Sequence, residues 1–475
     1  MALSGSPLAA RTFGLADQNW FAASCGDVNP MHVDPIRARR TQAGAPVVHG
    51  VHALLWALDE LAAARRLPGE ATAVRATFSK FMYLDRTLEL GVSEPRHALA
   101  RADLRMDGVL VASIDVLSRA ARNAPSIGEV LPEVALGTEP RDLDFEEITD
   151  FRGRFARPAE SFASRFPAAS RRLGAPRLAA LGQLSALVGM VCPGLHSIFG
   201  DLEIDFVDDD GGGVAFGVRC ADDRFRSVEI AVAGGGIAGS VTAFVRRPPV
   251  DPPAAAELAE RIAPDEFAGR TALVVGGSRG LGALTARMLA AGGARVIVTY
   301  VNGHDDAREV AAAAPGAMET ARYDVLEGVP PEIAARRADI DEVYYFATPT
   351  ISNQSAQVFS ASRLERLLRY YAGGFAELCG VLMAGRARPL YAFYPSSVFV
   401  DERPRGMTEY AMAKAAGEVL CADLQRERGV RILMRRLPRL LTDQTASIVP
   451  TESADGVAEL LPILREIRAF DRVHA

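Results

Sequence analysis

Two short stretches hold residue types that can move protons. The first is GDVNPMHVD at 26–34, followed by VVHG at 47–50, so Asp27, Asn29 and His32 surround a proline with His49-Gly50 close behind. Asp, Asn, Gly and Pro are ordinary turn residues, and a surface turn is one reading. The other is acid–base chemistry. A carboxylate and an imidazole close together can share a water, and imidazole titrates near neutral pH. The second stretch is PSSVFVDERPRGMTEYAMAK at 395–414, with Ser397 ahead of Tyr410 and Lys414 four residues after the tyrosine. Tyr and Lys at i and i+4 share a helix face. A nearby ammonium stabilises phenolate and is expected to lower the Tyr410 pKa, and Ser397 can hydrogen-bond the reacting oxygen.

A third feature lies between them. The strand-like TALVV runs into GGSRGLG, with Gly276, Gly280 and Gly282 at a strand-to-helix turn. Small residues there let the backbone approach a pyrophosphate, and the helix N-terminus offers unpaired N–H groups to the anion.

The elements that must position these groups fall into two rhythms. In the first half an apolar helix (51–66) precedes the strand-like segments 71–84, 86–94 and 109–119. A second apolar helix (177–191) precedes four more between 202 and 247. A buried helix followed by meandering strands is one α+β unit, and two of them suggest a duplication. The second half alternates strand and helix, the βαβ order of a doubly wound parallel sheet. Four prolines within 248–253 mark the break. The expected organisation is a catalytic region 1–139, a non-catalytic second copy 140–247, a linker 248–269 and a nucleotide-binding domain 270–475.

Composition bounds the function. A chain of 475 residues is too long for one ordinary core. A net charge of −6 argues against a nucleic-acid partner, which needs Lys/Arg excess. Five dispersed cysteines without CxxC spacing read as reduced thiols. The start MALSGSPLAARTFGL lacks the pattern of a secretory signal, and no apolar run is long enough to span a membrane. The expectation is a soluble, cytoplasmic protein.

The stretch 20–56 closely resembles the hydratase-2 (MaoC-like) hot-dog family in Asp27, Asn29-Pro30, His32, Asp34-Pro35 and His49-Gly50. The resemblance implies a double hot-dog fold that adds or removes water across a C=C conjugated to a thioester. Asp27 and His32 would be the acid/base pair, the Gly50 N–H would stabilise the enolate-like oxygen, and Asn29 would orient the water or hold the loop. His49 is read as a turn residue and His52 as a partly buried helix residue. No metal is expected. The second copy lacks the motif around His196. Arg37, Arg39 and Arg40 are open to two readings, a phosphate or carrier-protein contact and a solvated face.

Residues 270–445 resemble the short-chain dehydrogenase/reductase family in the glycine turn, the serine and YxxxK. This implies a Rossmann domain in which Tyr410 gives a proton to a carbonyl, Ser397 orients it, and Lys414 holds the ribose and tunes Tyr410. Gly276, Ser278, Arg279, Gly280, Leu281 and Gly282 would cradle the nucleotide, with Tyr300 and Asp324 beside it. An acid after the second strand usually marks NAD. Tyr300 stands there instead and Arg279 can pair with a 2′-phosphate, so NADP(H) is expected over NAD(H). Three departures are visible: Phe346-Ala347-Thr348-Pro349 after strand four, Tyr371 in place of the relay asparagine, and Pro438-Arg439 after strand six.

Together the resemblances imply a bifunctional enzyme, an NADP-dependent 3-oxoacyl thioester reductase and a 3-hydroxyacyl thioester dehydratase. Its substrates would be acyl-CoA or acyl carrier protein thioesters, and it would be a homo-oligomer. Two alternatives stay open: the degradative direction, hydration then oxidation, and a degenerate reductase half that serves as a scaffold.

Overall fold

The computed structural model describes residues 6–93, 98–120, 125, 127, 131–157, 162–209, 211–349, 351, 359–426, 430–443, 445 and 454–470. The chain divides into two compact units, one running to Pro248 and the other starting at Pro249.

Among the described residues of the amino-terminal unit, ten strands form one sheet. They are β1 (Ala9–Thr12), β2 (Ala73–Phe78), β3 (Thr87–Ser93), β4 (Ala100–Met106), β5 (Val109–Leu117), β6 (Arg152–Arg154), β7 (Ser197–Phe206), β8 (Ala215–Asp222), β9 (Ser227–Gly234) and β10 (Ile237–Val245). Their order is β1-β3-β4-β5-β2-β7-β10-β9-β8-β6. Read inward from one edge the order is β1-β3-β4-β5-β2, and from the other it is β6-β8-β9-β10-β7. Each half therefore repeats one topology, and β2 pairs antiparallel with β7 at the centre.

Each half also supplies one apolar helix, α2 (Gly50–Ala63) and α3 (Ala175–Ala186); α1 is Leu15–Cys25. A helix apolar on every side must be enclosed. Leu54, Leu55, Leu58 and Leu61 on α2 and Leu178, Leu181 and Leu184 on α3 are buried in one continuous core with the inward strand residues. Each such leucine contributes roughly 1.5–3 kcal/mol. The helix expected over 177–191 is α-helical only to Ala186. Leu187–Val191 widens into a π-turn that brings Gly189 against the Asp27 side chain.

The carboxy-terminal unit has a six-stranded parallel sheet of β11 (Thr271–Val275), β12 (Arg295–Tyr300), β13 (Met318–Arg322), β14 (Glu342–Tyr345), β15 (Leu390–Ser397) and β16 (Val430–Leu437), in the order β13-β12-β11-β14-β15-β16. Alternate residues of β11 serve opposite cores. Ala272 and Val274 pack with α4 (Gly280–Ala291), whereas Leu273 and Val275 pack on the face that buries Phe375, Leu378 and Cys421 of the later helices. The strand order reverses beside β11, so a crevice is expected at the carboxyl ends there. The stretch expected as a linker is partly built into this unit: Leu258, Ile262 and Phe267 are buried in its core. No helix among the described residues is long and apolar enough to cross a membrane.

Two candidate active sites

The Asp-x-Asn-Pro-x-His spacing is explained by local geometry. Helix α1 ends at Gly26, whose φ of 85° is a left-handed conformation that glycine adopts at little cost. Asn29 then caps a single helical turn, Pro30–Val33. Its Oδ1 accepts from the Met31 N–H at 3.1 Å, and Pro30 occupies the first helical position, where no N–H is needed. His32 lies within that turn. Its Nδ1 is 2.8 Å from the Val47 carbonyl oxygen, so Nδ1 carries the proton and Nε2 is left as the basic nitrogen.

Asp27 is 1% exposed. Its Oδ1 accepts from the Asn29 N–H at 3.2 Å and its Oδ2 from the Ser185 hydroxyl at 2.7 Å. Burial pushes the carboxyl up, opposed by His32 and these hydrogen bonds. Burial pushes His32 down, opposed by Asp27. The shift of Asp27 moves it toward the neutral range, where a proton donor works best, and the shift of His32 keeps its imidazole in the neutral, proton-accepting form.

Ser185 and Gly189 come from the second half, expected to be a non-catalytic copy. Asn29 Nδ2 donates to the Gly189 carbonyl at 2.8 Å, joining the motif loop to the π-turn. Asn29 is 2% exposed and both ends of its amide face protein partners. It therefore holds the loop and has little capacity left to orient a water. A serine and a glycine in an apolar helical run gave no signal of this.

His49 caps α2, and Gly50 is its first residue, partly exposed and beneath the Phe78 ring. A first-turn N–H has no intrahelical acceptor, so the Gly50 N–H can stabilise a developing oxyanion. His52, expected to be partly buried, is 0% exposed and stacked on Phe21 at 4.6 Å. Burial drives its pKa to about 3.

Donor atoms of Asp27, His32 and His49 lie within 4.8 Å of one another, so the trio could be asked to chelate a metal. The His32 and His49 rings, however, are stacked at 3.8 Å with 23° between their planes. Two nearly parallel rings cannot both aim an in-plane lone pair at one ion. Arg37, one of the three candidate surface cations, pairs with Glu139 at 3.0 Å on an exposed face.

In the carboxy-terminal unit the glycine turn follows β11. Gly276 has φ 76°, and a Cβ there would lie 3.0 Å from the Phe346 backbone. A Cβ on Gly282 would lie 2.3 Å from the Gly276 carbonyl oxygen. The turn is thus backbone packed on backbone, opening α4 at Gly280, and the site fits a nucleotide pyrophosphate. Ser278 is buried, whereas Arg279, Leu281 and Tyr300 are partly exposed. Asp324 follows β13 and caps the Leu326 N–H.

Ser397 ends β15. Tyr410 and Lys414 lie one turn apart on α5 (Thr408–Leu424), and Ser397 hydrogen-bonds the Tyr410 hydroxyl. The expected lowering of the tyrosine pKa does not occur. Burial pushes Tyr410 up, and only the Ser397 hydrogen bond opposes it. The reason is where the ammonium goes: Lys414 Nζ donates to the Pro395 carbonyl at 2.7 Å and sits 4.0 Å above the Tyr371 ring, but 5.9 Å from the Tyr410 ring. Burial lowers Lys414 to about 7. Tyr371, in a π-turn at Arg369–Gly373, bonds the Thr348 hydroxyl at 2.6 Å, which ties two of the departures together.

The family model of the MaoC like domain matches residues 6–99, the segment that holds Asp27, Asn29, His32 and Gly50. No curated protein matches the chain. Solved structures align with the carboxy-terminal part at low overall superposition. A short chain dehydrogenase from Salmonella enterica serovar Typhi is 21% identical with TM-score 0.37, covering 44% of this chain and 93% of its own. One from Escherichia coli, complexed with NADPH, is 19% identical with TM-score 0.38, covering 43% and 92%. A 3-oxoacyl (acyl-carrier-protein) reductase from Agrobacterium tumefaciens, with NADP bound, is 24% identical with TM-score 0.34, covering 38% and 73%.

Proposed function

We propose that this chain joins a dehydratase of double hot-dog architecture to an NADP(H)-dependent reductase of Rossmann architecture. The two would act in turn on one 3-oxoacyl thioester. Reduction at C3 gives the (3R)-hydroxyacyl thioester, and loss of water gives the trans-2-enoyl thioester. The observation that carries the reading is the pairing of buried Asp27 with partly exposed His32 beside the first turn of α2.

In the elimination, His32 Nε2 takes the Cα proton while its Nδ1 stays bonded to the Val47 carbonyl. Electron density moves onto the thioester oxygen, where the Gly50 N–H receives it. The Asp27 carboxyl, biased toward its protonated form by burial, protonates the departing hydroxyl. Hydration is the reverse.

At the second site the turn Gly276–Gly282 and the N-terminus of α4 would hold the nucleotide, with Tyr300 and Asp324 toward the adenosine end. Tyr300 offers no carboxylate to repel a 2′-phosphate. When bound, the nucleotide supplies hydride. Ser397 and Tyr410 hold the substrate carbonyl oxygen and Tyr410 protonates it. The same carbon skeleton serves both steps, so CoA or carrier-protein thioesters are the expected substrates.

The test is incubation of the full chain with a 3-oxoacyl thioester and NADPH, with products read by mass. Gain of two hydrogens followed by loss of water supports the reading. Asp27→Asn should stop after the first step and Tyr410→Phe before it. A second reading, nucleotide binding without turnover, is favoured by the upward shift of Tyr410 and the capture of Lys414 by Tyr371. A Tyr410→Phe variant as active as the parent would support it.

A further inference from the structure

His49 is fully buried, and its backbone N–H donates to Gln18 Oε1 at 3.0 Å. A backbone amide can only donate, so the Gln18 atom at that position is the carbonyl oxygen. The same oxygen lies 2.8 Å from His49 Nδ1, which places a proton on Nδ1. At the other end Nε2 lies 3.1 Å from the Asp27 carbonyl oxygen and 3.8 Å from Asp27 Oδ2. Both ring nitrogens therefore face acceptors. A neutral ring satisfies one of them. A second proton, on Nε2, turns a repulsive contact into a hydrogen bond and stands beside a carboxylate.

His32 differs in this respect. Its Nδ1 donates to the Val47 carbonyl, and its Nε2 has no hydrogen-bond partner among the described residues. Two imidazoles stacked at 3.8 Å resist carrying two positive charges, so they share their first proton. We propose that this proton goes to His49, which leaves His32 a neutral base with an open Nε2. His49 is thus a positioning residue that, with Gln18, sets the protonation state of the acid/base pair.

The titratable groups facing His49 are Asp27, His32 and His52, with Cys25 beyond Asp27. His52 titrates at about 3 and the Cys25 thiol is pushed well up by burial, so both stay neutral. Burial, together with the neighbouring His32, lowers His49 further than burial lowers His32. The two acceptor oxygens oppose that penalty for His49 alone, whereas the Asp27 carboxylate favours a cation on either ring.

The proposal's effect on turnover rests on the dehydratase reading, whereas the protonation state can be read without substrate. The full chain, labelled with 15N-histidine, is titrated from about pH 8 to pH 4 by long-range 1H–15N correlation. His49 should gain its second N–H first while His32 keeps the single Nδ1–H form. His49→Phe keeps a stacked ring and removes both nitrogens. The proton then falls to His32, and the acid limb of kcat/KM for dehydration moves up by about one pH unit, an about tenfold loss on the acid side and none above the limb. Gln18→Leu leaves the ring in place and should move the limb the same way by less. It keeps the test alive if His49→Phe does not fold.

A first imidazolium on His32, or limbs unmoved in folded variants, overturns the proposal. A chain that turns over no thioester, yet protonates His49 first, leaves this assignment standing and removes the dehydratase reading.

Discussion

Gly189→Ala is the sharpest structural perturbation of the first site. A Cβ at this position would lie 2.3 Å from Asp27 Oδ1 and 2.7 Å from Cγ and Oδ2, where ordinary contact begins near 3.4 Å. Asp27 or the π-turn must give way by about 1.1 Å, the difference between those distances. Neither moves freely. Ser185 and the Asn29 N–H hold the carboxylate, and the Gly189 carbonyl accepts from Asn29, so the strain reaches the loop that carries His32. Overpacking of this kind costs about 1–3 kcal/mol of stability, and a displacement near 1 Å at a reacting group costs about 100-fold in rate. The assay is hydration of a trans-2-enoyl thioester, followed by loss of its conjugated absorbance, with NADPH-dependent reduction of a 3-oxoacyl thioester as the control. The expected result is an about 100-fold lower kcat for hydration with the reductase rate unchanged. A folded variant that hydrates at the parent rate would refute the claim that the π-turn positions Asp27.

Burial raises Asp27, so its ionised form is costly in the folded state. That cost is absent below the unfolded value of 3.8 and grows as pH rises through the folded pKa. Asp27→Asn should therefore melt higher than the parent at pH 7 while losing dehydration, and the gain should vanish near pH 4 in a thermal-melt series. Tyr410→Phe should lower NADPH-dependent reduction by about 10²–10⁴-fold and leave hydration intact, read by the same two assays. Lys414 titrates at about 7 and is held over the Tyr371 ring. Tyr371→Leu removes a contact worth about 0.5–2 kcal/mol to the ammonium, so the pH at which reductase activity falls should move down by up to about 1.5 units.

The candidate residues of both sites were legible because their spacing is local. Asp27 and Asn29 lie just before the single helical turn that carries Pro30 and His32, and Tyr410 and Lys414 lie one turn apart on α5. The doubled helix-and-strand pattern was also visible, although the strands β1, β4 and β6 were not assigned. In β4 the charged Arg101, Asp103 and Arg105 masked the buried alternation of Ala102, Leu104 and Met106. What stayed hidden depends on contacts between distant segments. Ser185 reaches Asp27 across 158 residues, with no motif to announce it. The direction of the Tyr410 shift depends on burial and on an ammonium that turns toward Tyr371, neither of which spacing reveals.

The most direct measurement is deuterium exchange at Cα of a (3R)-hydroxyacyl thioester incubated with the full chain in heavy water, without nicotinamide nucleotide. Removal and return of that proton by the Asp27–His32 pair predicts label at Cα together with enoyl product, both lost in Asp27→Asn and in His32→Gln. Exchange that persists in those variants, or none in the parent protein, would contradict the assignment of acid–base water chemistry to Asp27 and His32.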